Sequence, residues 1–405
     1  MKRLLPWVLL VIAAAQFLIV ALPPGNDDLI SIQSLALDFD GSNTRLLYPG
    51  KNFALNDPWI AHHETNLRRL GGSGEPNWCF YPPLIPYLLS PVAGVSAETW
   101  RIVWGMMQLV FVVLYALLIR RLLQSIRPCG YSCTVIVFAL VLGSFPLARS
   151  LELGQTSLLV AVLLWAGIIA ALTGRTIWRR TAVGVAAVLK PFLLLVEVPE
   201  IAERKFTRAT ASLAVWFGLM LLALILLGWT VHRSYLDFLV TLGSSQTAYS
   251  GNQSLLAGVM RLFSDWPVTD YGFGQERGWL VLGRFISVVV LAVAAWAQFR
   301  GMADVISSVG LWLSAALIAL PISWEHHLLL LLPVIAWLWA TTDDRPSRLF
   351  LGVATLLLSV CWTPLYGEDG IRRMAASLPL FGNVVLFVLL IHTRVRGAKA
   401  APRPA

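Results

Sequence analysis

The sequence predicts an all-α protein that crosses a membrane many times, and three observations indicate that fold class. Hydrophobic residues make up 57% of the 405 residues and charged residues only 13%, whereas ordinary soluble domains carry about 25% charged residues. The apolar residues collect in runs close to the roughly 20 residues that a spanning helix needs. The net charge of +9 falls in short basic clusters between those runs, which is typical of cytoplasmic loops and argues against a nucleic-acid partner.

About ten apolar segments approach the length needed to cross a hydrocarbon core of roughly 30 Å. They lie near residues 4–22, 102–119, 133–149, 156–173, 209–228, 278–297, 303–320, 327–341, 348–363 and 377–392. Lys2 and Arg3 precede the first segment, which we interpret as a retained helix and not as a cleaved signal peptide. The basic clusters place the tail 393–405 in the cytoplasm and make residues 1–405 a single transmembrane domain.

Residues 181–200 lie between two basic clusters and are interrupted by Lys190-Pro191. Proline removes a backbone donor and disfavours helix in the residue before it. We therefore expect 181–200 to form a re-entrant hairpin that enters and leaves on the cytoplasmic side, since irregular backbone is tolerated at membrane depth where it lines a cavity. The alternative is a plain eleventh span, which would put the basic tail outside.

Three polar stretches are then expected on the external side, at 23–100, 229–277 and 364–376. The first is the longest and carries most of the acidic candidates discussed below. Within it, Tyr81-Pro82-Pro83 opens the apolar stretch 81–92, which is too short to span. We expect this stretch to lie along the external interface, with its aromatic residues at the headgroup level.

The four cysteines predict neither a zinc site nor a disulfide framework, because they show no metal-ligand pairing and no even framework on one loop. They are Cys79, Cys129, Cys133 and Cys361. His326 and His327 are also poor joint ligands, since adjacent side chains on a helix point about 100° apart and no HExxH spacing accompanies them. We expect no metal and no other cofactor.

Polar residues stand where the chain enters a predicted span. Ser323-Trp324-Glu325-His326-His327 runs straight into the apolar segment 328–332, and polar groups at that depth are costly unless they face a wet cavity or a partner. Asp27 and Asp28 follow the first span and are candidates for a general base. The alternative is a solvated pair that ends a helix, and Asp38 and Asp40 are rivals on the same loop.

Four further residues have two open interpretations each. Lys190 is a lone cation in an apolar segment and would neutralise a lipid phosphate or serve a buried carboxylate. Gln155 would bind a polar ligand or a neighbouring helix. Asn252 and Gln253 suit carbohydrate hydroxyls, or an ordinary turn before a helix capped by Ser254.

Taken in order, these pieces resemble glycosyltransferase family 87, whose members are polytopic enzymes of the GT-C class that use polyprenyl-phosphate sugars. The resemblance rests on an ordered series of motifs from residue 27 to about residue 333. The motifs are Asp27-Asp28, Gly41, Leu47-Tyr48-Pro49, Tyr81-Pro82-Pro83, Gly154-Gln155, Lys190-Pro191, Gly251-Asn252-Gln253-Ser254 and Ser323-Trp324-Glu325-His326-His327. The aromatic residues usual after the family's aspartate are replaced here by Ile30, Ser31 and Ile32.

The resemblance implies a GT-C-like bundle in the plasma (inner) membrane. It implies transfer of a sugar, most often mannose, from a polyprenyl phosphate to a lipid or glycan hydroxyl on the extracytoplasmic side, with inversion and without a metal. Asp28, and after it Asp27, would act as the base; His326, His327 and Lys190 would bind the donor phosphate, with Arg149 as a further candidate. The substrate-binding candidates are Tyr81, Gln155, Asn252, Gln253, Trp324 and Glu325. A secondary transporter or lipid flippase remains the alternative.

Overall fold

The computed structural model describes residues 5–21, 27–39, 47–49, 58–71, 81–269, 272–301 and 304–400. Within these ranges the protein is all-α, with short 3-10 helices and two isolated β-bridges. The helices are α1 (Leu5–Ala21), α2 (Asp27–Ala36), α3 (Pro58–Arg69), α4 (Leu84–Leu89), α5 (Ala97–Gln124), α6 (Tyr131–Leu142), α7 (Phe145–Glu152), α8 (Ser157–Leu172), α9 (Thr176–Leu189), α10 (Val198–Ala202), α11 (Phe206–Gly243), α12 (Leu255–Phe263), α13 (Arg277–Arg300), α14 (Val305–Ala319), α15 (Leu332–Thr341), α16 (Arg345–Ser359), α17 (Gly370–Ala375) and α18 (Leu378–Ala400). The 3-10 helices are Leu37–Phe39, Ser90–Val92, Pro191–Glu197, Glu325–Leu331 and Thr363–Leu365.

Four of the described helices are long and apolar enough to cross a bilayer, namely α5, α11, α13 and α18. The pair α6 and α7, bent by 53°, makes a fifth if the two form one span. The other apolar helices are shorter, among them α8 and α14. The all-helical membrane fold is therefore confirmed in outline, whereas the count of about ten spans stays a prediction.

The core centres on α14, whose residues from Ile306 to Ala319 are all buried. This helix packs against α13 and α18, and small residues allow the close approach that membrane helices favour. A Cβ on Gly310 would come within 2.6 Å of Val334. Ser314 Oγ donates to Asn383 Oδ1 of α18 at 2.6 Å, so a buried hydrogen bond joins the two helices.

The chain breaks at Lys190-Pro191 as the sequence predicts. The α9 helix ends at Leu189, Lys190 is extended with φ −139° and ψ 91°, and the 3-10 helix Pro191–Glu197 follows. The two arms are tied together by buried ion pairs of Arg179 with Glu197, at 3.3 Å, and with Glu200. The return of 181–200 to the cytoplasmic side stays a prediction.

One pair of cysteines forms a disulfide, although the sequence predicts no disulfide framework. Cys129 and Cys133 are bonded at the N-terminal end of α6, and Cys361 is free. The Cα atoms of the bonded pair lie 5.4 Å apart, within the usual range of about 4.4–6.8 Å. The two cysteines are only four positions apart, with Cys129 just before α6 and Cys133 in its first turn. Such a local pair does not need the set of loop cysteines that the sequence analysis looked for. Cys79 lies outside the described residues.

The predicted external stretch 229–277 begins as helix and not as loop. The α11 helix continues to Gly243 across a kink at Gly228, where φ is 77° and ψ is 169°. Only glycine adopts that backbone conformation readily, because the other residues carry a Cβ. The kink therefore lets one long helix turn between its apolar first half and the part that approaches the cavity described below.

Replacing Gly228 with alanine is expected to destabilise the protein by about 1–3 kcal/mol, the usual strain of such a backbone conformation in a residue with a Cβ. Gly218 is the matched control, since it lies on the same helix with space for a Cβ, and Gly218→Ala should be neutral or stabilising by up to about 1 kcal/mol. Thermal unfolding of both variants in detergent measures the difference. Equal midpoints for the two variants would contradict the assigned role of Gly228.

Candidate active site

A cavity of about 640 Å³ lies between α2, α11, the break after α9 and the start of the 3-10 helix Glu325–Leu331. This volume is within the usual range of small-ligand sites, about 300–1,000 Å³. The polar and aromatic residues that line it include Asp28, Tyr81, Arg149, Gln155, Lys190, Tyr249, Trp324, Glu325, His326 and His327. The structure thus brings the acid that follows the first span and the two histidines into one cavity.

Asp28 is held by a short chain of hydrogen bonds. It lies in the first turn of α2, and Gln155 Nε2 donates to its Oδ2 at 2.5 Å. The Tyr81 hydroxyl donates to Gln155 Oε1 at 2.8 Å and also lies 2.8 Å from Thr156 Oγ1. Because both ends of the Gln155 amide are engaged, one carboxylate oxygen of Asp28 has a fixed direction.

The backbone around Gln155 is fixed as well. Gly154 adopts φ +66° in the turn between α7 and α8, a conformation that favours glycine. Gln155 N then donates to Ser150 O at 2.8 Å, and Gln108 Nε2 donates to Gln155 O at 2.8 Å. Of the two interpretations of Gln155, the structure shows contact both with a neighbouring helix and with the cavity.

Replacing Gln155 with leucine is expected to lower the activity by roughly 10–100-fold, because Asp28 loses its orienting donor. Gln298→Leu is the matched control, since Gln298 is also buried but lies on α13 away from the cavity. Initial rates of sugar transfer, the activity that the resemblance to family 87 implies, measure the effect, and thermal unfolding checks folding. Equal activity in the two variants would show that the orientation of Asp28 does not depend on Gln155.

A cation and two imidazoles line the same cavity. Lys190 Nζ lies 2.8 Å from His327 Nε2 and 5.8 Å from the centre of the Tyr81 ring. A charged Lys190 donates to Nε2, which places the proton of the His327 imidazole on Nδ1. Asp28 lines the same cavity as Lys190. The backbone N–H of Lys190 still donates to Ala186 O at 3.0 Å, and the extended backbone of Lys190 before Pro191 ends α9 beside these groups.

His326 has capacity to bind a ligand. Its ring packs edge-on against the His327 ring at 4.7 Å, and only 3% of the residue is exposed. Among the described residues, no group makes a hydrogen bond with either ring nitrogen. A buried polar group without a partner costs stability unless a ligand or water satisfies it, so the ring nitrogens of His326 suit contact with a bound ligand.

The histidines are positioned by a 3-10 helix and not, as the sequence predicts, by the start of an α-helix at residue 327. The segment Glu325–Leu331 is 3-10, and α15 starts at Leu332. Two of its carbonyl groups accept hydrogen bonds from neighbouring helices: Tyr115 Oη donates to Leu329 O at 2.6 Å and Trp165 Nε1 to Leu330 O at 3.0 Å. In an α-helix Leu329 O would accept from residue 333, but Pro333 has no N–H, so the Tyr115 hydroxyl supplies a donor that an α-helix could not.

Arg149 and two carboxylates form a charged group on another wall. Arg149 Nε donates to Glu325 Oε1 at 2.8 Å, and its Nη1 lies 2.8 Å from Glu152 Oε1. Burial raises the pKa of the Tyr249 hydroxyl nearby, and the charge of Arg149 partly opposes that rise. The Tyr249 ring meets the Trp324 ring edge-on at 6.3 Å. Since the charge of Arg149 is already balanced, Lys190 is the better candidate for a phosphate.

Asn252 and Gln253 do not line the cavity. Asn252 Nδ2 donates to Thr247 O and Pro321 O, and its Oδ1 accepts from the backbone of Ser323 and Ser254. Gln253 likewise bonds to the backbone of Ser250, Ala376 and Leu380. Both amides are fully used within the protein, so the structure favours the turn interpretation and assigns them to holding the segment with Trp324.

The other aspartates that the sequence offers as a general base are Asp27, Asp38 and Asp40. Asp38 does not line the cavity, and its carboxylate is bonded to His62 at 2.7 Å and to Asn66 at 3.0 Å. Asp40 and the side chain of Asp27 lie outside the described residues. The sequence analysis did not select Tyr249 as a site residue. Its position two residues before the Gly251 motif could have indicated that it lines the cavity. The sequence analysis also missed the grouping of Asp38 with two histidines.

The fold and the cavity together define a helical membrane protein that encloses a polar ligand site. The sequence profile of glycosyltransferase family 87 matches residues 78–323, more than half of the chain, and the protein belongs to that family. This match covers all the cavity residues named above except Asp28 and the stretch from Trp324 to His327.

Two curated proteins are similar to the chain, and both bear the name polyprenol-phosphate-mannose-dependent alpha-(1-2)-phosphatidylinositol pentamannoside mannosyltransferase. The protein from Mycobacterium tuberculosis is 27% identical over 292 residues, covering 70% of this chain and 64% of its own. The protein from Mycolicibacterium smegmatis is 27% identical over 303 residues, covering 72% and 69%. The chain therefore spans about two thirds of the length of these relatives. No solved structure matches the chain.

Proposed function

We propose that this protein transfers mannose from a polyprenyl-phosphate donor to a hydroxyl of a lipid or lipid-linked glycan. The observation that carries the proposal is that Asp28 and the pair Lys190–His327 line one cavity. Membership of glycosyltransferase family 87 and the names of the two mycobacterial relatives support the donor, and a phosphatidylinositol-type lipid is the acceptor class that those names suggest.

In the proposed reaction, Asp28 accepts the proton of the acceptor hydroxyl as its oxygen attacks the anomeric carbon of the donor. The new carbon–oxygen bond forms while the bond from that carbon to the phosphate oxygen breaks, so polyprenyl phosphate leaves with the bonding electrons. A single displacement inverts the configuration at the anomeric carbon. General base assistance of this kind contributes about 10²–10⁴-fold.

The leaving phosphate gains negative charge in the transition state, and Lys190 and His326 are placed to meet it. Fixed donors and charges aimed at developing charge often give the largest single contribution to catalysis. Lys190 supplies a cation. His326 supplies a ring N–H that makes no hydrogen bond with any of the described residues. Because these groups meet the phosphate, the transfer step needs no divalent ion, and added Mg²⁺ should leave the rate unchanged.

The isoprenoid chain of the donor is proposed to leave the cavity along α11. Tyr235, Leu239 and Leu242 of this helix line the cavity, while its neighbours Leu236 and Val240 are 47% and 74% exposed. Apolar side chains thus continue from the cavity to the outer surface of the helix. We place the cavity on the extracytoplasmic side of the plasma (inner) membrane, as the basic clusters of the sequence indicate.

The test uses the purified full chain in detergent with mannose-labelled polyprenyl phosphate and phosphatidylinositol mannosides. The expected result is a labelled lipid product with release of free polyprenyl phosphate, both identified by mass spectrometry. A transporter or flippase would move the intact donor across vesicle membranes and release no polyprenyl phosphate. Adding donor to only one face of oriented vesicles tests the proposed side.

A further inference from the structure

A second group of chemistry-bearing side chains lies outside the cavity. Asp38, His62 and His63 each offer one ligand atom, and these atoms lie within 4.8 Å of one another. His62 Nε2 is 2.7 Å from Asp38 Oδ1, and His63 Nε2 is 3.6 Å from Asp38 Oδ2. Among the residues that the structure describes, this is the one group of three or more His, Cys, Asp or Glu side chains close enough to hold an ion.

The group is buried, and one carboxylate oxygen of Asp38 lacks a hydrogen-bond donor among the described residues. Asp38 is 3% exposed and His63 is fully buried, while the His62 side chain is 20% exposed. Asp38 Oδ1 accepts from Asn66 Nδ2 and pairs with His62, but Oδ2 has no hydrogen-bond partner within the described ranges. A buried carboxylate oxygen without a donor is costly, and this one lies 3.6 Å from His63 Nε2.

We propose that Asp38, His62 and His63 bind one divalent transition-metal ion, with zinc as the first candidate. Two imidazoles and a carboxylate are a donor set that suits zinc and its first-row neighbours better than Mg²⁺ or Ca²⁺, which prefer oxygen ligands. Zinc–ligand bonds are about 2.0–2.2 Å long, which puts the ligand atoms of a tetrahedral site about 3.4 Å apart. The His62–Asp38 pair, now at 2.7 Å, therefore opens slightly to admit the ion. A water or a further group completes the coordination.

Neighbouring groups already orient the ligands. Ser34 Oγ lies 3.2 Å from His63 Nδ1, which leaves Nε2 facing Asp38. Asn66 holds the carboxylate from the other side at 3.0 Å, and the Trp59 ring packs on His63 at 4.7 Å. Such outer contacts fix the tautomer and the ring orientation of metal-binding histidines.

Adjacent histidines on a helix point about 100° apart, which is the reason to doubt a shared ion at His326 and His327. At α3 the geometry differs because the carboxylate of Asp38 enters between the rings from a separate 3-10 helix. The ring centres of His62 and His63 are 5.1 Å apart, and each imidazole meets one oxygen of the same carboxylate.

The proposed ion joins two elements of the long first polar stretch. Asp38 directly follows α2, and both histidines lie on α3. Asp28 lies in the first turn of the same α2 helix, at the opposite end from the ion. The ion would therefore fasten α2 to α3 without touching the cavity, and this inference does not depend on the sugar-transfer proposal.

The test is the metal content of the full-length protein, purified in detergent without chelator and with a tag that lacks histidine. After incubation with Zn²⁺ and removal of the excess, elemental analysis should find about one zinc per chain. His63→Gln and Asp38→Asn should each reduce the content at least tenfold. His232→Gln is the matched control, because His232 is a buried histidine on α11 and should keep the wild-type content.

Wild-type protein that retains no zinc would overturn the proposal and leave a purely hydrogen-bonded cluster. Zinc that is retained equally by His63→Gln would also overturn it, by assigning the ion to another place such as His326–His327. If these variants fail to fold, His62→Gln replaces them, because the His62 side chain is the most exposed of the three ligands, and wild-type zinc content in folded His62→Gln protein would overturn the proposal. A rise of the unfolding temperature with Zn²⁺ in the wild type, absent from Asp38→Asn, is expected as well.

Discussion

Asp28→Asn should lower kcat/KM for sugar transfer by about 10²–10⁴-fold, the usual contribution of a general base. Asparagine keeps the size of the side chain and can still accept from Gln155, which donates to Asp28 Oδ2 at 2.5 Å. The loss should fall on kcat more than on KM, because proton transfer occurs only in the transition state. Initial rates with labelled donor and a saturating acceptor measure both constants.

Asp265→Asn is the matched control, since Asp265 is exposed and does not line the cavity. It makes the same chemical change and should leave transfer near the wild-type rate. Thermal unfolding of both variants separates a lost base from a lost fold. Wild-type turnover by folded Asp28→Asn protein would remove Asp28 from its proposed role and return attention to Asp27.

Lys190→Met should lower kcat by about 10²–10³-fold, the range seen when one electrostatic contact to a developing charge is removed. Methionine keeps most of the apolar stem of Lys190 and is flexible enough to fill the same space. The ammonium group is lost, and His327 Nε2 loses its neighbour at 2.8 Å. Product inhibition by polyprenyl phosphate should weaken in parallel, because the same cation meets the phosphate before and after the transfer.

Lys205→Met serves as the control for this change. Lys205 is exposed and pairs with Glu203 away from the cavity, so its loss should leave both kcat and product inhibition unaltered. A Lys190→Met protein that transfers slowly yet is inhibited by polyprenyl phosphate as strongly as the wild type would point to a different role. Lys190 would then serve the carboxylate of Asp28 and not the phosphate.

The sequence predicts the main groups of the cavity because a membrane makes polar residues conspicuous. Asp28, Lys190 and the two histidines stand within or beside long apolar runs, where a polar group is costly unless it faces a cavity or a partner. The break at Pro191 follows from the covalent chemistry of proline alone. Placement in one cavity, however, needs helix packing that hydropathy does not encode.

The questions that the sequence leaves open have physical causes as well. Amide side chains form hydrogen bonds equally well with a sugar and with the protein backbone. The identities of Asn252 and Gln253 alone therefore could not distinguish a sugar-binding role from a structural role in a turn. The group of Asp38 with His62 and His63 joins residues more than twenty positions apart. No short sequence motif therefore indicates that these side chains meet. Several of the ten predicted spans are shorter apolar helices, whose hydropathy is the same whether they face lipid or protein.

The hydrogen bonds from Tyr115 and Trp165 to the 3-10 helix have a bearing on how variants of this protein are interpreted. The Trp165 indole donates to the carbonyl of Leu330, and its removal would take this donor from a buried carbonyl and loosen the segment that carries His326. A saturation screen scored on turnover would then rank Trp165 beside Lys190, although no substrate atom ever meets it. Inactive variants at such remote aromatic residues lose the positions of the cavity residues and not a catalytic group. Measurements of substrate binding should separate these variants from those that lose a catalytic group.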